Sequence, residues 1–159
     1  MWAVENEITG GISADTFSPS TVCTRAQTVT FLWRAAGSPE PKTAVSPFND
    51  VASDAYYYKA VLWAVENGIT SGTTASTFAP NVTVTRAQTA TFLWRSAESP
   101  AAELANAFAD VSAGAYYHDA VVWAAEEGIT SGTSATTFSP DAPCLRSQIV
   151  TFLYRFMAE

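Results

Sequence analysis

Trp63-Ala-Val-Glu-Asn-Gly-Ile-Thr-Ser-Gly72 has two close copies in this chain, Trp2-Ala-Val-Glu-Asn-Glu-Ile-Thr-Gly-Gly11 and Trp123-Ala-Ala-Glu-Glu-Gly-Ile-Thr-Ser-Gly132. The copies are 61 and 60 residues apart. Working outward, the same spacing holds for Phe17, Phe78 and Phe138, each in a Thr-Phe-x-Pro turn. It holds again for Arg25, Arg86 and Arg146, and for Arg34, Arg95 and Arg155. A fixed period of this kind marks a repeat architecture in which neighbouring units bury each other's apolar faces.

Each unit reads as helix, loop, helix, so the predicted fold is all-α, with three repeats about a pseudo-threefold axis. From Tyr57, Val61, Ala64, Val65 and Ile69 follow the three-and-four spacing of a buried helical stripe. Gly68 and Gly128 stand where that helix should stop, and Ile69 and Ile129 where the chain folds back on the last turn. Residues 70–83 are rich in Ser, Thr, Gly and Pro and read as a loop. Thr85-Arg86-Ala87-Gln88 then opens the second helix as a capping box, and Thr24-Arg25-Ala26-Gln27 repeats it. The expected boundaries within one compact domain are 1–36 for a partial first repeat, 37–47 for a linker and 48–98 for the second repeat. A linker at 99–107 and a third repeat at 108–159 follow. Repeat one lacks a counterpart of Phe48 to Leu62, and Glu7 replaces its stop glycine. Met1 reads as a cut inside a longer protein, which also accounts for the lack of a visible secretory signal. A naturally short protein is the alternative, and a second chain supplying the missing half-repeat is left open.

With 15 acidic and 8 basic residues the net charge is −7, which argues against nucleic acid or anionic lipid as partner. No run of about 18 apolar residues suggests membrane insertion. One His and two Cys do not make a usual zinc ligand set, so neither metal nor cofactor is expected. His118 has no repeat partner, no carboxylate pair recurs in the loop and no nucleophile has a base, so the expectation is a binding module and not an enzyme. A glycosidase dyad is not excluded by composition.

Arg25, Arg86 and Arg146 sit at the first helical position, where the helix dipole disfavours a cation. Two readings stand: a salt bridge to an acid such as Asp50 or Asp110, or an anion site built from a guanidinium and free helix amides. Arg34, Arg95 and Arg155 lie half a turn round and near the helix C-termini, where the dipole alone accounts for them. Tyr56, Ala60, Trp63 and Asn67 form a second stripe, matched by Tyr116, Ala120, Trp123 and Glu127. Trp63 and Trp123 are read as either a sugar-stacking face or core. Asp50 and Asp110 are either helix caps or ligand contacts. Gly72 and Gly132 permit a tight loop, or let backbone approach a ligand. Cys23 and Cys144 occupy equivalent places, with Val84 between them. They are either a disulfide near the axis or two buried thiols.

Phe-x-Asp-Val, Tyr-Tyr, Ala-Val-x-Trp-Ala, Gly-Ile-Thr-Ser-Gly, Thr-Phe-x-Pro and Thr-Arg-Ala-Gln, in this order, resemble the S-layer homology repeat of bacterial surface proteins. The resemblance spans essentially the whole chain. It implies a trefoil-like helical domain with three prongs and grooves between them. It also implies anchoring of an exported protein at the cell surface by binding an anionic secondary cell-wall polysaccharide, commonly one carrying ketal-linked pyruvate. The family's Thr-Arg-Ala-Glu Arg contacts the pyruvate carboxylate, a role that carries onto Arg25, Arg86 and Arg146. Groove roles carry onto Asp50, Asp110, Gly72 and Gly132. Gln27, Gln88 and Gln148 stand where the family has Glu, and Leu145 replaces the third cap Thr. Arg86 therefore ranks first, and Arg86→Ala is expected to weaken glycan binding while leaving the fold intact. A protein- or host-interaction module on the same scaffold is the alternative, distinguished by whether soluble wall glycan competes.

Overall fold

The computed structural model describes residues 2–13 and 15–157. The expected cut at Met1 and the last two residues of the third repeat lie outside the described residues. Six helices are present among those described: α1 (Trp2–Glu5), α2 (Arg25–Ala35), α3 (Tyr58–Glu66), α4 (Arg86–Ser96), α5 (His118–Glu126) and α6 (Arg146–Met157). The fold is all-α; the only β character among the described residues is a few isolated bridges.

The second helices start where their polar sequence dictates. Thr24 and Thr85 each accept from the backbone N–H three residues on, and the Gln27 and Gln88 side chains accept from the Thr N–H at 3.0 and 3.1 Å. Gln serves here because only its carbonyl oxygen is used. In α6 half the box survives: Leu145 N–H donates to Gln148 Oε1 at 3.0 Å. The first helices have no side-chain cap but stop sharply. Gly68 takes φ +66°, Ile69 N–H reaches Ala64 O at 2.8 Å and Gly68 N–H reaches Val65 O at 3.1 Å, a Schellman closure that buries Ile69 completely. Glu7 makes the same closure with φ 57°, a conformation that disfavours a side chain.

The repeats interlock around Cys23, Val84 and Cys144. Cys23 N–H donates to Cys144 O, Cys144 N–H to Val84 O and Val84 N–H to Cys23 O, at 2.9–3.0 Å, closing a ring on the pseudo-threefold axis. Beyond the ring, Arg25, Arg86 and Arg146 each donate their backbone N–H to a carbonyl of an adjacent repeat, Val82, Ala142 and Thr21, at 2.9 Å. The next residues, Ala26, Ala87 and Ser147, donate to Pro80, Pro140 and Pro19 at 3.0 Å. The first helical amides are thereby consumed in joining repeats, so the expectation of free amides for an anion does not hold.

Below the ring α2, α4 and α6 meet through Leu32, Leu93, Ile149 and Leu153. On the outside α3 packs along α2, α5 along α4 and α1 against α6. The interrepeat stretches are tied to these helices: Trp33 and Trp94 indoles donate to Pro39 O and Pro100 O at 2.8 Å. The Glu66 and Glu126 carboxylates accept from Lys42 and Glu103 N–H at 3.0 and 2.8 Å.

Candidate functional site

Phe78 is fully buried, and the residue after it, Ala79, has φ +58°. That strained turn is held by Asp50, whose two carboxylate oxygens accept from Phe78 and Ala79 N–H at 2.8 Å each. Asp110 holds Phe138 and Ser139 in the same way at 2.8 and 2.7 Å. Neither aspartate caps a helix, because α3 and α5 begin eight residues later, at Tyr58 and His118. Burial alone would raise the Asp110 carboxyl, but the Phe138 and Ser139 N–H groups and the nearby Arg86 charge outweigh it and leave it below the usual carboxylate value.

The turn so fixed presents its carbonyl to an arginine of another repeat. Arg25 Nε donates to Phe78 O at 2.9 Å, Arg86 Nε to Phe138 O at 2.8 Å and Arg146 Nε to Phe17 O at 2.9 Å. Each guanidinium also lies over two rings: Phe78 and Phe92 for Arg25, Phe138 and Phe152 for Arg86, Phe17 and Phe31 for Arg146, at 4.7–5.5 Å. All three arginines are buried, at 3–4% exposure. Among the described residues none forms an ion pair with a carboxylate; the pairs present are Lys59–Glu40 and His118–Asp119. The salt-bridge reading is therefore replaced by a carbonyl contact plus stacking, with Asp50 and Asp110 acting one residue behind.

Arg25 opens into a cavity of about 320 Å³ lined by Thr70, Ser71, Gly72, Thr73, Gln88, Thr91, Phe92, Arg95 and Tyr116. One wall comes from each repeat: Arg25 from the first, the Gly72 loop and α4 from the second, Tyr116 from the third. Gly72 is required by geometry, with φ +87° and a Cβ that would lie 2.5 Å from both Phe48 Cε1 and Thr77 O. Gly132 is equally tight, against Thr137 O at 2.5 Å and Phe108 Cε1 at 2.6 Å. Burial raises the Tyr116 phenol, with Tyr117 adding to it, while the Arg25 and Arg95 charges pull it down. Tyr56 stands in the same relation to Arg34 and Arg146.

The first Arg of α2 and the last Arg of α4 thus share one cavity, and within a helix the half-turn offset points the first and last Arg apart. The dipole reading of Arg34, Arg95 and Arg155 misses this. They donate to Ile8, Ile69 and Ile129 carbonyls at 3.1–3.2 Å, and Arg95 lines the Arg25 cavity. Tyr56 and Tyr116, grouped with Trp63 and Trp123 by spacing, precede their helices and are 61% exposed beside the arginines. Trp63 and Trp123 do not line that cavity. Trp123 is 5% exposed and stacks edge-on with Phe156 at 6.0 Å, so it belongs to the core.

Burial draws the Arg25 and Arg86 guanidiniums below their usual value; Tyr116 and Asp50 oppose this at Arg25, Cys144 and Asp110 at Arg86. Arginine stays protonated regardless, so the sites hold desolvated cations. Arg146 Nη2 donates to Thr9 Oγ1 at 3.0 Å, but Arg86 Nη2 is buried with no partner. Because Arg86 is so enclosed, Arg86→Ala would strand Phe138 O and expose a void, at a cost to the fold of roughly 1–3 kcal/mol. Arg86→Ala therefore probes binding and stability together. A hollow of similar size, about 330 Å³, lies beside Trp94, His118 and Asp119 but holds no arginine.

Cys23 and Cys144 are both fully buried free thiols. No described helix is long and apolar enough to cross a membrane, and no described group of His, Cys, Asp or Glu is placed to hold a metal.

The S-layer homology domain model matches residues 1–29, 47–90 and 107–150. The chain is 35% identical over 114 residues, 71% of its length, to a surface-layer 125 kDa protein of Lysinibacillus sphaericus. It is 40% identical over 94 residues, 59% of its length, to an endoglucanase of Bacillus sp. (strain KSM-635). In each case it spans 10% of the relative. S-layer homology domains are cell-wall anchoring modules, binding units and not catalysts, found in S-layer proteins and surface enzymes. Three matched segments, in register with three interlocked helical repeats, place the chain in the S-layer homology domain family.

Proposed function

We propose that this chain holds a protein at the outside of a bacterial cell by gripping an anionic secondary cell-wall polysaccharide, of the kind bearing ketal-linked pyruvate, in the grooves between repeats. The observation that carries the reading is the cavity on Arg25. It joins two guanidiniums, an exposed tyrosine and a row of Ser and Thr hydroxyls in a space the size of a sugar-binding cleft. The unpartnered Arg86 Nη2 supports it at the equivalent site, since a buried guanidinium with an unmade hydrogen bond favours an incoming carboxylate.

Binding is an equilibrium in which the pyruvate carboxylate accepts from the inner guanidinium and the sugar ring packs on the tyrosine and phenylalanine. The Thr70, Ser71 and Thr73 hydroxyls and the Gln88 amide exchange water for sugar hydroxyls. One Arg–carboxylate contact contributes about 1.5–3 kcal/mol net, too little for an anchor. Engagement of more than one groove by one polymer raises the effective concentration and supplies the rest. Arg95→Gln tests this cleanly, because Arg95 is less enclosed than Arg25. A folded Arg95→Gln protein is expected to bind wall polysaccharide roughly tenfold more weakly. Unchanged affinity in that variant and in Arg25→Lys would remove the groove from the account.

A further inference from the structure

A ring of three repeats in one chain has two junctions made by the polypeptide and one, between repeats three and one, closed only by non-covalent contact. The two cysteines stand on the two sides of that open junction, and Val84, between chain-linked neighbours, takes the third place. Cys23 N–H donates directly to Cys144 O at 3.0 Å. Val22 and Leu145 face each other in an antiparallel bridge, which sets Cys23 opposite Cys144 at the next place, where Cα atoms of facing residues stand roughly 4.5–5.5 Å apart, inside the window of roughly 4.4–6.8 Å that a disulfide needs. Both side chains are fully buried at the axis.

We propose that Cys23 and Cys144 are a disulfide site that locks the ring covalently at its open junction. The step is a double thiol–disulfide exchange. One thiolate attacks the sulfur of a disulfide donor and expels a thiolate; the second cysteine then attacks the mixed disulfide. A Cys23 Sγ–Cys144 Sγ bond forms, the donor's S–S bond breaks, and its two sulfurs carry away two electrons and take up the two protons. Burial pushes both thiols up to about 11 in the folded protein, and Arg146 near Cys23 and Arg86 near Cys144 oppose this. Exchange therefore takes place while the chain folds, before the axis closes. Packing at this place accepts an aliphatic side chain, as Val84 shows, so the reduced protein folds and the bond adds to it.

The 159-residue chain, refolded with a mixture of reduced and oxidised glutathione, is denatured in the presence of an alkylating agent and weighed intact. The expected product is monomeric, carries no alkyl group and loses about 10 °C from its melting temperature when dithiothreitol is added. Cys23→Val is expected to melt at the same temperature with and without dithiothreitol. Two alkylated thiols, a glutathione adduct or a cross-linked dimer in the refolded wild type would overturn the proposal. So would a melting temperature that reductant leaves unchanged.

Discussion

Glu7 shows how one residue departs from its repeat partners at a measurable cost. Gly68 and Gly128 reach the left-handed region freely, whereas Glu7 takes φ 57° with a Cβ in place. Glu7→Gly should stabilise the fold by about 1 kcal/mol in a urea titration. Asp110 illustrates a charge effect of definite sign. Its carboxyl lies below the usual value when folded, so its contribution is complete above about pH 4, where the unfolded carboxyl is ionised, and drains away as pH falls through the folded value. Stability measured from pH 5 down to pH 2 should fall more steeply for wild type than for Asp110→Asn. The stop glycines and capping boxes are legible in sequence because they act within a few residues of themselves. The real partner of Asp50 is 28 residues away, at a distance no local pattern records.

At the element scale, the loop from Thr70 to Phe78 is what turns two packed helices into a groove. Its tightest point is Gly72, where any Cβ meets backbone carbonyls and the Phe48 ring at once. Gly72→Ala should cost roughly 2–4 kcal/mol and weaken glycan binding, read by thermal melting and titration on the same sample. The second helices make a different point. Their identity and start were readable from Thr-Arg-Ala-Gln, but the use of their last arginines was not. Arg34 and Arg95 sit where a helix dipole already welcomes a cation, and that sufficient local reason hides the place of Arg95 in a cavity it shares with Arg25. The tyrosines escape spacing for a related reason. A helical stripe can be continued backward past Tyr57 on paper, although the helix itself starts at Tyr58.

For the whole molecule, all-α repeats with a shared axis follow from the period and from the two cysteines and Val84 in register. What the period hides is that the Arg25 cavity is assembled across repeats. Arg25 of repeat one is joined at one cavity by Arg95 of repeat two and Tyr116 of repeat three, so the make-up of an arginine's own repeat does not describe its surroundings. The same interlocking ties the proposed binding to stability: the arginines proposed to meet the ligand also clasp Phe17, Phe78 and Phe138 through their carbonyls. The central claim is recognition of an anionic sugar by buried arginine. Its most direct test is calorimetric titration of the chain with purified cell-wall polysaccharide before and after mild acid removal of pyruvate ketals. The account predicts saturable binding that is lost with the pyruvate and weakened by Arg95→Gln. Equal binding to both samples, or binding to neither, would contradict it.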